Sequence, residues 1–407
     1  MYARPERLQT RLYHDWLLPD EARQVRVEVR RFVDDDVLSV ADELNTVVES
    51  ADAFPHGLFR RMAELGLYRI PFDSSLGGRG LRYPLCAATV VMEELAYASD
   101  GLATIFDDHC LLPGAALLNG GAATRERYLK PLMSGDSVAC MAITEPDAGS
   151  DLRAETVCTR AEAREDCFVL NGHKRFITNS PVGDFATTLC VIDGRLCMLV
   201  VDLHSPGVRV GPPDLKTGNR VQLTADVWFE DVRVPLENLL GSAGDGLRIA
   251  LGALTWGRVA VGVSGVGMAQ AALDECAGFM RERKLFGGSL ADMQYWQFRL
   301  AERVTQISMA RDLCYKAAVR YDQGARAPEP EVAMAKYYGT QVAGDMARDA
   351  VQVFGGLGFI TRLGADGSHF RVEQIYRDCK VAEIYEGANE IQKRGIARLI
   401  LGKEHVR

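Results

Sequence analysis

The chain has 407 residues, more than a single hydrophobic core usually organises, so we expect two or three domains. Its 55 acidic and 47 basic residues give a formal net charge of -8, which argues against nucleic acid and against anionic membrane surfaces as partners. The hydrophobic share of 47% and the charged share of 25% are typical of an ordinary globular protein.

Residues that could build metal sites, disulfides or membrane anchors are dispersed along the chain. The ten cysteines form no Cys-x-x-Cys pair and the seven histidines show no His-x-x-x-His spacing, so we expect neither disulfides nor a metal site. No apolar run approaches the length of about 18 residues that a membrane helix needs, and the N-terminus lacks a secretory pattern. We therefore expect a cytoplasmic protein with reduced cysteines in its core.

Residues 1 to about 135 have a helical pattern. Pro19 followed by two acidic residues is typical of a helix start, and an apolar helical face precedes Gly66, which would end a helix. Segments 86–98 and 102–118 are apolar enough to be buried helices. The first domain is therefore predicted to be α-helical.

Between about 136 and 240 the pattern changes to short β-prone runs. Asn171-Gly172 joins two such runs, which is the strongest short signal for a hairpin. Further strands are predicted near 187–192, 197–203, 208–210 and 221–229, a spacing that suggests a small antiparallel barrel or sandwich. Helical periodicity returns from about 245. The order predicts an α+β multi-domain fold, divided into 1–135, 136–240 and 241–407.

Two glycine motifs have structural explanations. Gly262, Gly265 and Gly267 lie in a helical pattern with no strand before them, whereas a nicotinamide site needs strand, turn and helix in that order. Close packing between helices explains them better. Gly355 and Gly356 follow an apolar segment and fit a helix end that turns sharply.

Glu386 stands between Tyr385 and Gly387, just before a predicted helix start. A carboxylate held against apolar neighbours is partly desolvated, which raises its pKa and strengthens it as a base. The glycine lets a ligand approach the backbone closely. The segment alone leaves two interpretations open: a base that removes a C–H proton, or an acidic residue in a helix-start turn, which is the commoner case.

Five collinear segments decide between these interpretations. They are Met-Ala-Ile-Thr-Glu-Pro-Asp-Ala-Gly-Ser-Asp at 141–151, Phe-Ile-Thr-Asn at 176–179, Arg-Glu-Arg-Lys-Leu-Phe-Gly at 281–287, Gln-Val-Phe-Gly-Gly-Leu-Gly-Phe at 352–359 and Ile-Tyr-Glu-Gly at 384–387. Together, over essentially the whole chain, they resemble the acyl-CoA dehydrogenase family. The resemblance implies an N-terminal α-helical domain, a middle small β-barrel and a C-terminal four-helix bundle. It also implies FAD, bound between the last two.

The resemblance implies a set of flavin contacts. Thr144 and Thr178 would hydrogen-bond the flavin edge, and Phe176, at a position often filled by Trp, would shield one side of the ring. Ser150 would contact the pantetheine arm or the flavin phosphate region. In this family part of the adenosine and pyrophosphate site comes from a neighbouring subunit, which implies a homotetramer built as a dimer of dimers. The implied FAD contacts are Met141, Ile143, Thr144, Gly149, Ser150, Phe176, Thr178, Arg283, Phe286, Gln294, Gln352, Gly355, Gly356 and Asn389.

The same resemblance makes Glu386 the catalytic base, which takes the proton alpha to a thioester while hydride leaves the beta carbon for flavin N5. The Glu386 N–H and a ribityl hydroxyl would hold the thioester oxygen, with Gly387 giving room. A minority of the family carries its base at the position of Gly257, where this chain has no carboxylate. Arg258 is implied to lie near the substrate, paired with Asp107. The implied substrate neighbours are Ser150, Arg258 and Gly387.

The chain departs from the family pattern at two places. Where many members have Thr-Ser or Thr-Asn after the Glu-Gly pair, this chain has Ala388-Asn389, so Asn389 would have to supply the flavin contact. The acyl-pocket segment at 106–110 reads Phe-Asp-Asp-His-Cys, with more charge than plain fatty acyl chains call for. Either the acyl group is short or carries a polar or cationic substituent, on CoA or on a carrier protein, or Asp108 and His109 point towards solvent or a subunit contact.

The leading functional hypothesis is FAD-dependent α,β-dehydrogenation of an acyl thioester, within fatty acid metabolism, with an electron-transfer flavoprotein as acceptor. The alternative is a flavin oxidase or monooxygenase on the same fold. Retention of Glu386 together with complete flavin motifs favours dehydrogenation. Some relatives bind DNA through a basic C-terminal extension, but this chain ends in Gly-Lys-Glu-His-Val-Arg at 402–407, which argues against that role.

Overall fold

The computed structural model describes residues 6–13, 15, 18–325 and 330–406, and its first third is helical. The helices are Gln9–Leu12, Asp20–Phe32, Leu38–Thr46, His56–Glu64, Pro84–Ala98, Asp100–Phe106, Leu112–Leu117, Ala122–Thr124 and Lys130–Ser134, interrupted by π-helical turns at Val33–Val37, Asp107–Leu111 and Arg125–Leu129.

Two of the π-helical turns come directly before a proline. Pro113 and Pro131 each occupy the second position of the helix that follows, after the turns Asp107–Leu111 and Arg125–Leu129. Proline lacks the N–H that would bond to the carbonyl four residues earlier, and its ring crowds that carbonyl, so a wider turn is favoured locally. The single helix predicted over 102–118 is therefore divided, and the division falls at Asp107 and Asp108.

The middle region forms one eight-stranded sheet. Its strands are β1 (Ala139–Ala142), β2 (Arg160–Ala163), β3 (Cys167–Thr178), β4 (Phe185–Ile192), β5 (Arg195–Asp202), β6 (Val208–Val210), β7 (Thr224–Pro235) and β8 (Leu239–Leu240). The order is β6-β7-β3-β2-β4-β5-β8, with β1 beside β4. The β1–β4 and β2–β4 pairs are parallel and the others antiparallel, so the sheet is mixed where we predicted an antiparallel one.

The predicted hairpin at Asn171-Gly172 is wrong. Residues 167–178 form one continuous strand, β3, which pairs with β7 and shifts its register between Leu170 and Gly172. A Cβ on Gly172 would lie 2.5 Å from the Thr159 Oγ1 and 2.7 Å from the Thr159 Cα. The glycine is therefore needed because another backbone approaches closely, and a bulge replaces the turn.

The last third is again helical. Its helices are Gly246–Glu282, Gln294–Asp322, Glu331–Phe354, Gly356–Phe359, Arg371–Ala382 and Asn389–Leu401, with a small hairpin, β9 (Lys284–Leu285) and β10 (Gly288–Ser289), after the first. We call the 37-residue helix Gly246–Glu282 the spine helix. One apolar core is shared between these helices and those of the first third, and the sheet has a second core of its own.

Close packing explains Gly262, Gly265 and Gly267 of the spine helix, as predicted. A Cβ on Gly262 would lie 2.7 Å from the carbonyl oxygen of Ala335, and one on Gly265 would lie 2.6 Å from that of Gly339. A Cβ on Gly267 would meet the carbonyl oxygen of Glu93, in the first third, at 2.4 Å. The glycines therefore let the spine helix contact a helix on each side.

The spine helix also has the length and composition of a membrane span, which the sequence reading overlooked. Within its most apolar window, 83% of the residues are buried inside the protein. The core of a soluble protein passes the same test of length and composition, so the observation is weak evidence for a membrane. Here packing on both sides accounts for the apolar composition.

All ten cysteines are free, and nine of them are buried. Cys158 is the exception and is exposed in the loop between β1 and β2. The expectation of buried thiols therefore holds for every cysteine except this one.

Candidate active site

Glu386 lies in the turn between helices Arg371–Ala382 and Asn389–Leu401, with φ of +53°, and Gly387 follows with φ of +89°. A non-glycine residue in this region costs roughly 1–2 kcal/mol, a strain that folded proteins tend to retain at functional positions. Both Glu386 carboxylate oxygens are buried and lack a hydrogen-bond partner among the described residues. The main-chain N–H of Glu386 also makes no hydrogen bond to any described residue. The turn therefore presents an acceptor and a donor that are both available to a ligand.

Gly257 of the spine helix makes room for this carboxylate. A Cβ at Gly257 would lie 2.1 Å from the Glu386 Oε2 and 2.6 Å from the Leu112 Cδ2. Such distances are far below van der Waals contact, so any larger residue would displace Glu386. Gly257, the position that carries the base in a minority of the family, therefore packs directly against the Glu386 carboxylate.

Lys336, a buried lysine that sequence reasoning missed, stabilises the Glu386 turn through the start of the next helix. The Lys336 Nζ donates to the Asn389 Oδ1 at 3.1 Å, and the Asn389 amide donates to the Thr340 Oγ1 at 3.0 Å. Burial lowers the pKa of Lys336 to about 8, although the charge of Glu386 opposes this. Because the Asn389 side chain is engaged inside the protein, its direct flavin contact stays a prediction. In sequence, Lys336 looks like any polar residue of a helix.

A second carboxyl group, Asp107, lies against Glu386. It is 1% exposed, and neither of its oxygens has a hydrogen-bond partner among the described residues. Burial raises its pKa well above the ordinary value, and the charge of Glu386 raises that pKa further. Burial also raises the pKa of Glu386, while the neighbouring Asp107 carboxyl group and the charges of Lys336 and Arg258 act against that rise. Both pKa values are therefore raised, and the two carboxyl groups titrate as a coupled pair.

The expected ion pair between Arg258 and Asp107 does not form, because both Asp107 oxygens are without a hydrogen-bond partner. The Arg258 Nε instead donates to the main-chain oxygen of Glu386 at 3.2 Å. Arg258 thus holds the backbone of the turn beside the base. Its predicted contact with the substrate is untested.

Asp108 and His109 are buried, so their predicted alternative orientation towards solvent is wrong. The His109 Nδ1 accepts the Ala139 N–H at 3.1 Å, and its Nε2 bonds to the Leu132 carbonyl oxygen at 3.0 Å. These partners define a neutral ring protonated on Nε2, and burial lowers its pKa to about 3. Asp108 is 8% exposed; burial and then the Glu386 charge raise its pKa, while a hydrogen bond from Thr178 opposes them. His109 is structural, whereas Asp108 belongs to the site.

The middle region carries an exposed aromatic side chain at a bulge in β3. Lys174 pairs with Val227 and Ile177 with Ala225, so two residues of β3 oppose one residue of β7 between these pairs. One of the two is Phe176, which has φ of +60° and is 63% exposed. A strained backbone that carries an exposed aromatic ring is typical of a ligand surface. The predicted role of Phe176 beside the flavin ring stays a prediction.

A buried ion pair holds the Thr144 loop beside this bulge. The Lys174 Nζ donates to the Ile143 carbonyl oxygen and to the Glu145 Oε1, both at 2.9 Å. The Arg175 N–H donates to the Thr144 carbonyl oxygen at 2.9 Å. Lys174 and Glu145 were missed by sequence reasoning, since a Lys on a strand normally points to solvent.

The remaining predicted flavin-edge residues lie in β3, in β1 and in the loop after β1. Thr178 ends β3, and its hydroxyl accepts a hydrogen bond from the Gln222 amide at 2.9 Å. Met141 is buried in β1, while Gly149 and Ser150 are exposed in the loop that follows. Thr178 also acts on Asp108, whose pKa it lowers against the effect of burial.

The other predicted cofactor residues lie at the opposite end of the spine helix. Arg283 directly follows that helix, and Phe286 lies in the small hairpin beyond it. Gln294 begins the next helix, and Gln352, Gly355 and Gly356 lie where helix Glu331–Phe354 ends. An ion pair between Arg299 and Asp349 at 2.8 Å joins helix Gln294–Asp322 to helix Glu331–Phe354. From Gly257 to Arg283 the spine helix rises about 39 Å, so one chain does not bring the two groups together.

Both groups suit parts of a dinucleotide. In the described chain the exposed Arg283 guanidinium has no ion-pair partner, and no atom lies within 4 Å of a Cβ built on Gly355 or Gly356. A free guanidinium beside open glycine backbone fits a pyrophosphate. Phe286 is 92% exposed with φ of +48°. Phe176, among the predicted residues around Glu386, is likewise an exposed phenylalanine with positive φ. The residues present therefore fit FAD.

Comparison with known families matches three models along the chain. They are the acyl-CoA dehydrogenase N-terminal domain at 19–136, the middle domain at 140–232 and the C-terminal domain at 244–401. The chain belongs to the acyl-CoA dehydrogenase family. Its fold, its FAD cofactor and its reaction class, FAD-dependent oxidation of a CH–CH bond in an acyl-CoA, are thereby confirmed as predicted.

Similar curated proteins cover nearly the full length. Caffeyl-CoA reductase-Etf complex subunit CarC of Acetobacterium woodii is 35% identical over 94% of this chain and 99% of its own. The 3-(aryl)acrylate reductase of Clostridium sporogenes is 34% identical over 93% and 97%. The mitochondrial short-chain specific acyl-CoA dehydrogenase of Mus musculus is 33% identical over 97% and 93%.

Solved structures agree with the fold. The glutaryl-coenzyme A dehydrogenase in complex with glutaryl-CoA has a TM-score of 0.89 at 31% identity, covering 97% of this chain and 98% of that one. Butyryl-CoA dehydrogenase from Megasphaera elsdenii has a TM-score of 0.86 at 29% identity, covering 95% and 100%.

Proposed function

We propose that Glu386 is the catalytic base of this enzyme and that the substrate is a short acyl thioester. The observation that carries the proposal is the Glu386 carboxylate itself, buried at a strained turn with both oxygens free of protein partners. A buried carboxylate without hydrogen bonds has its pKa raised and its basicity strengthened.

The protein's own groups position the thioester. Glu386 removes the proton of the alpha carbon, and the free Glu386 N–H donates to the thioester oxygen, where enolate charge develops. Gly387 lets this oxygen approach the backbone. When bound, FAD supplies the acceptor for the hydride of the beta carbon. Thr144, Phe176 and Thr178 would hold its ring, and Arg283, Gly355 and Gly356 its pyrophosphate.

A second candidate is the same chemistry in reverse, the reduction of a 2-enoyl thioester. The observation that favours it is the similarity to two proteins named as reductases, at 35% and 34% identity. Proton transfer to and from the alpha carbon follows one path by microscopic reversibility, so protonated Glu386 would deliver the proton. Two rates decide the direction: the reoxidation of reduced enzyme by enoyl thioesters and the bleaching of oxidised enzyme by saturated thioesters. A faster reoxidation would favour the reductase.

We further propose an electron-transfer flavoprotein as the redox partner and a homotetramer as the assembly. The relative CarC is named as a subunit of a complex with Etf, which supports such a partner. The two halves of the cofactor site lie about 39 Å apart along the spine helix, farther than one dinucleotide spans, so a second copy would complete each site. Exposed apolar residues on the C-terminal helices, Phe359, Leu399 and Ile400, support a self-interface.

Anaerobic titration with thioesters, monitored through bleaching of the flavin absorbance, tests the role of Glu386. We expect Glu386→Gln to keep FAD but to reduce the bleaching rate by about 10²- to 10⁴-fold, the usual contribution of a general base. The matched control is Glu390→Gln, an exposed acid of the following helix, which should bleach normally. Normal bleaching by Glu386→Gln would refute the base assignment.

The same titration separates the open alternatives. Each acyl group is presented both on CoA and on a phosphopantetheinylated carrier protein, and the faster carrier identifies the natural thioester. Peroxide release in air without an added acceptor would instead support the flavin oxidase alternative.

A further inference from the structure

Buried carboxyl groups elsewhere in the protein have donors. Glu94 accepts from Arg26 at 2.9 Å and from Arg30 at 2.7 Å, and Glu145 accepts from Lys174 at 2.9 Å. In the described part of the chain, Asp107 and Glu386 are the only carboxyl groups whose two oxygens are both buried without a hydrogen-bond partner. The base explains Glu386, because its ligand is a C–H group. Nothing in the proposed reaction explains Asp107.

Within the described chain neither Asp107 nor Asp108 forms an ion pair, and both Asp107 oxygens lack a hydrogen-bond partner. The largest charge effects on the pKa of Asp107 come from the acids Glu386, Asp108 and Asp100, which raise it. Only Glu386 and a hydrogen bond from Thr178 act, besides burial, on the pKa of Asp108. A buried acid without an ion-pair partner is strongly destabilised in its charged form, so a ligand that supplies the partner stabilises it.

The cations of the site are engaged on the other side of the base. Arg258 donates to the main-chain oxygen of Glu386, and Lys336 donates to Asn389. Asp107 meets the Glu386 carboxylate, whereas Asp108 reaches Thr178 at the edge implied to hold the flavin. A substituent that contacts both acids would therefore lie between the base and the edge implied to hold the flavin.

We propose that Asp107 and Asp108 recognise an ammonium group on the acyl chain, attached at or next to the beta carbon, so that the substrates are short aminoacyl thioesters. The inference rests on the proposed function, because it takes Glu386 as the base at the alpha carbon. An ammonium group brings three hydrogen-bond donors and one positive charge to acceptors that lack both.

The reaction balances with the cofactor already assigned. The Cα–H bond gives its proton to Glu386, and the Cβ–H bond gives its hydrogen and electron pair to FAD. A carbon–carbon double bond forms, and the product is a 2,3-unsaturated aminoacyl thioester. The amino group takes no part in either bond change, so it contributes binding and orientation alone.

Three thioesters with the same number of heavy atoms test the inference. β-Alanyl-CoA ends in an ammonium group where butyryl-CoA ends in a methyl group and 3-hydroxypropionyl-CoA in a hydroxyl. For the holoenzyme we expect kcat/KM for flavin reduction by β-alanyl-CoA to exceed that of butyryl-CoA by at least about tenfold, since the site's acceptors would be unpaired with the latter. Equal rates, or faster reduction by butyryl-CoA, would overturn the inference and leave the proposed function standing.

The other outcomes are equally decisive. Preference for 3-hydroxypropionyl-CoA over β-alanyl-CoA would overturn the ammonium assignment in favour of a neutral donor. If no thioester bleaches the flavin, the proposed function fails, and the inference fails with it. These comparisons use only the unaltered enzyme, so they do not depend on how any variant folds.

Substitutions then locate the selectivity. Asp107→Asn and Asp108→Asn should each reduce the ratio of β-alanyl-CoA to butyryl-CoA to within about threefold, because an amide lacks the charge. The matched control is Asp274→Asn, a buried acid far from Glu386 that accepts from Tyr97 at 3.0 Å and Gln270 at 2.9 Å. This control should keep the ratio. A ratio that survives both Asp107→Asn and Asp108→Asn in FAD-loaded protein would overturn the assignment.

Discussion

Gly257 shows how the absence of a side chain determines where the base lies. Gly257→Ala would place its Cβ 2.1 Å from the Glu386 Oε2, so the carboxylate would have to move. A shift of about 1 Å in a catalytic group can lower a rate by about 10²-fold. We expect Gly257→Ala to keep FAD and to lose about that factor in the rate of anaerobic flavin reduction.

Gly252, on the same helix, is the matched control. It is exposed, and no atom lies within 4 Å of a Cβ built there. Gly252→Ala should leave the reduction rate unchanged and stabilise the helix by about 0.5–1 kcal/mol, since alanine has the higher helix propensity. Equal rates for the two alanine variants would contradict the assigned position of the base.

Asp107 makes the stability of the fold depend on pH. Its pKa in the folded state is raised, so its contribution to stability is fully present below about pH 4 and is lost as pH rises through the raised value. Asn does not titrate. We expect Asp107→Asn to melt above the unaltered protein at pH 8, by the equivalent of about 1–3 kcal/mol, and this gap to shrink towards pH 5.

Thermal melting of the FAD-loaded proteins across that pH range measures the effect. Asp52→Asn, at an exposed acid, is the control and should show a difference that does not vary with pH. A gap for Asp107→Asn that stays constant from pH 5 to pH 8 would mean that Asp107 is not the buried acid responsible.

At the scale of elements, local sequence patterns predicted what depends on periodicity and failed where a tertiary contact decides. The glycines of the spine helix were predicted from the lack of a preceding strand, which is a local feature. Asn171-Gly172 has the chemistry of a turn, yet the close approach of Thr159 keeps the chain extended. The π-helical turn at Asp107–Leu111 was missed because its local signal, Pro113, lies within an otherwise continuous apolar helical pattern.

The connection between helices Glu331–Phe354 and Asn389–Leu401 was also beyond local reasoning. It depends on Lys336 and Asn389, which are 53 positions apart in the chain. The positive charge of Lys336 opposes the rise in the pKa of Glu386. Because the base acts in its ionised form, the rate of flavin reduction should rise with pH through that pKa.

Removing this charge should therefore move the pH–rate profile. We expect Lys336→Met to shift the midpoint of the rise to higher pH by about one pH unit, as the loss of a nearby opposite charge does. Lys393→Met, at an exposed lysine of helix Asn389–Leu401, should leave the midpoint in place. A purely structural role for Lys336 would lower rates equally at every pH, and that outcome would contradict the electrostatic one.

For the whole molecule, the order of helices, strands and helices followed from the sequence because each class of element has its own period. The distance between the two halves of the cofactor site did not follow, because it depends on the unbroken length of the spine helix. Glu386 lies beside Gly257 near its start, and Arg283 follows its end. Because of this separation, the proposed assembly predicts that each site takes Glu386 from one chain and Arg283 from another.

Complementation between two inactive variants answers that question. Glu386→Gln removes the base, and Arg283→Glu reverses the charge proposed to hold the pyrophosphate. If each site takes Glu386 from one chain and Arg283 from another, a mixed dimer has one site with both residues intact. Random mixing then restores about a quarter of the unaltered activity, since half of the dimers are mixed and each has one working site of two. If one chain supplies both residues, every site in the mixture carries a defect, and coexpressed variants stay as inactive as each alone.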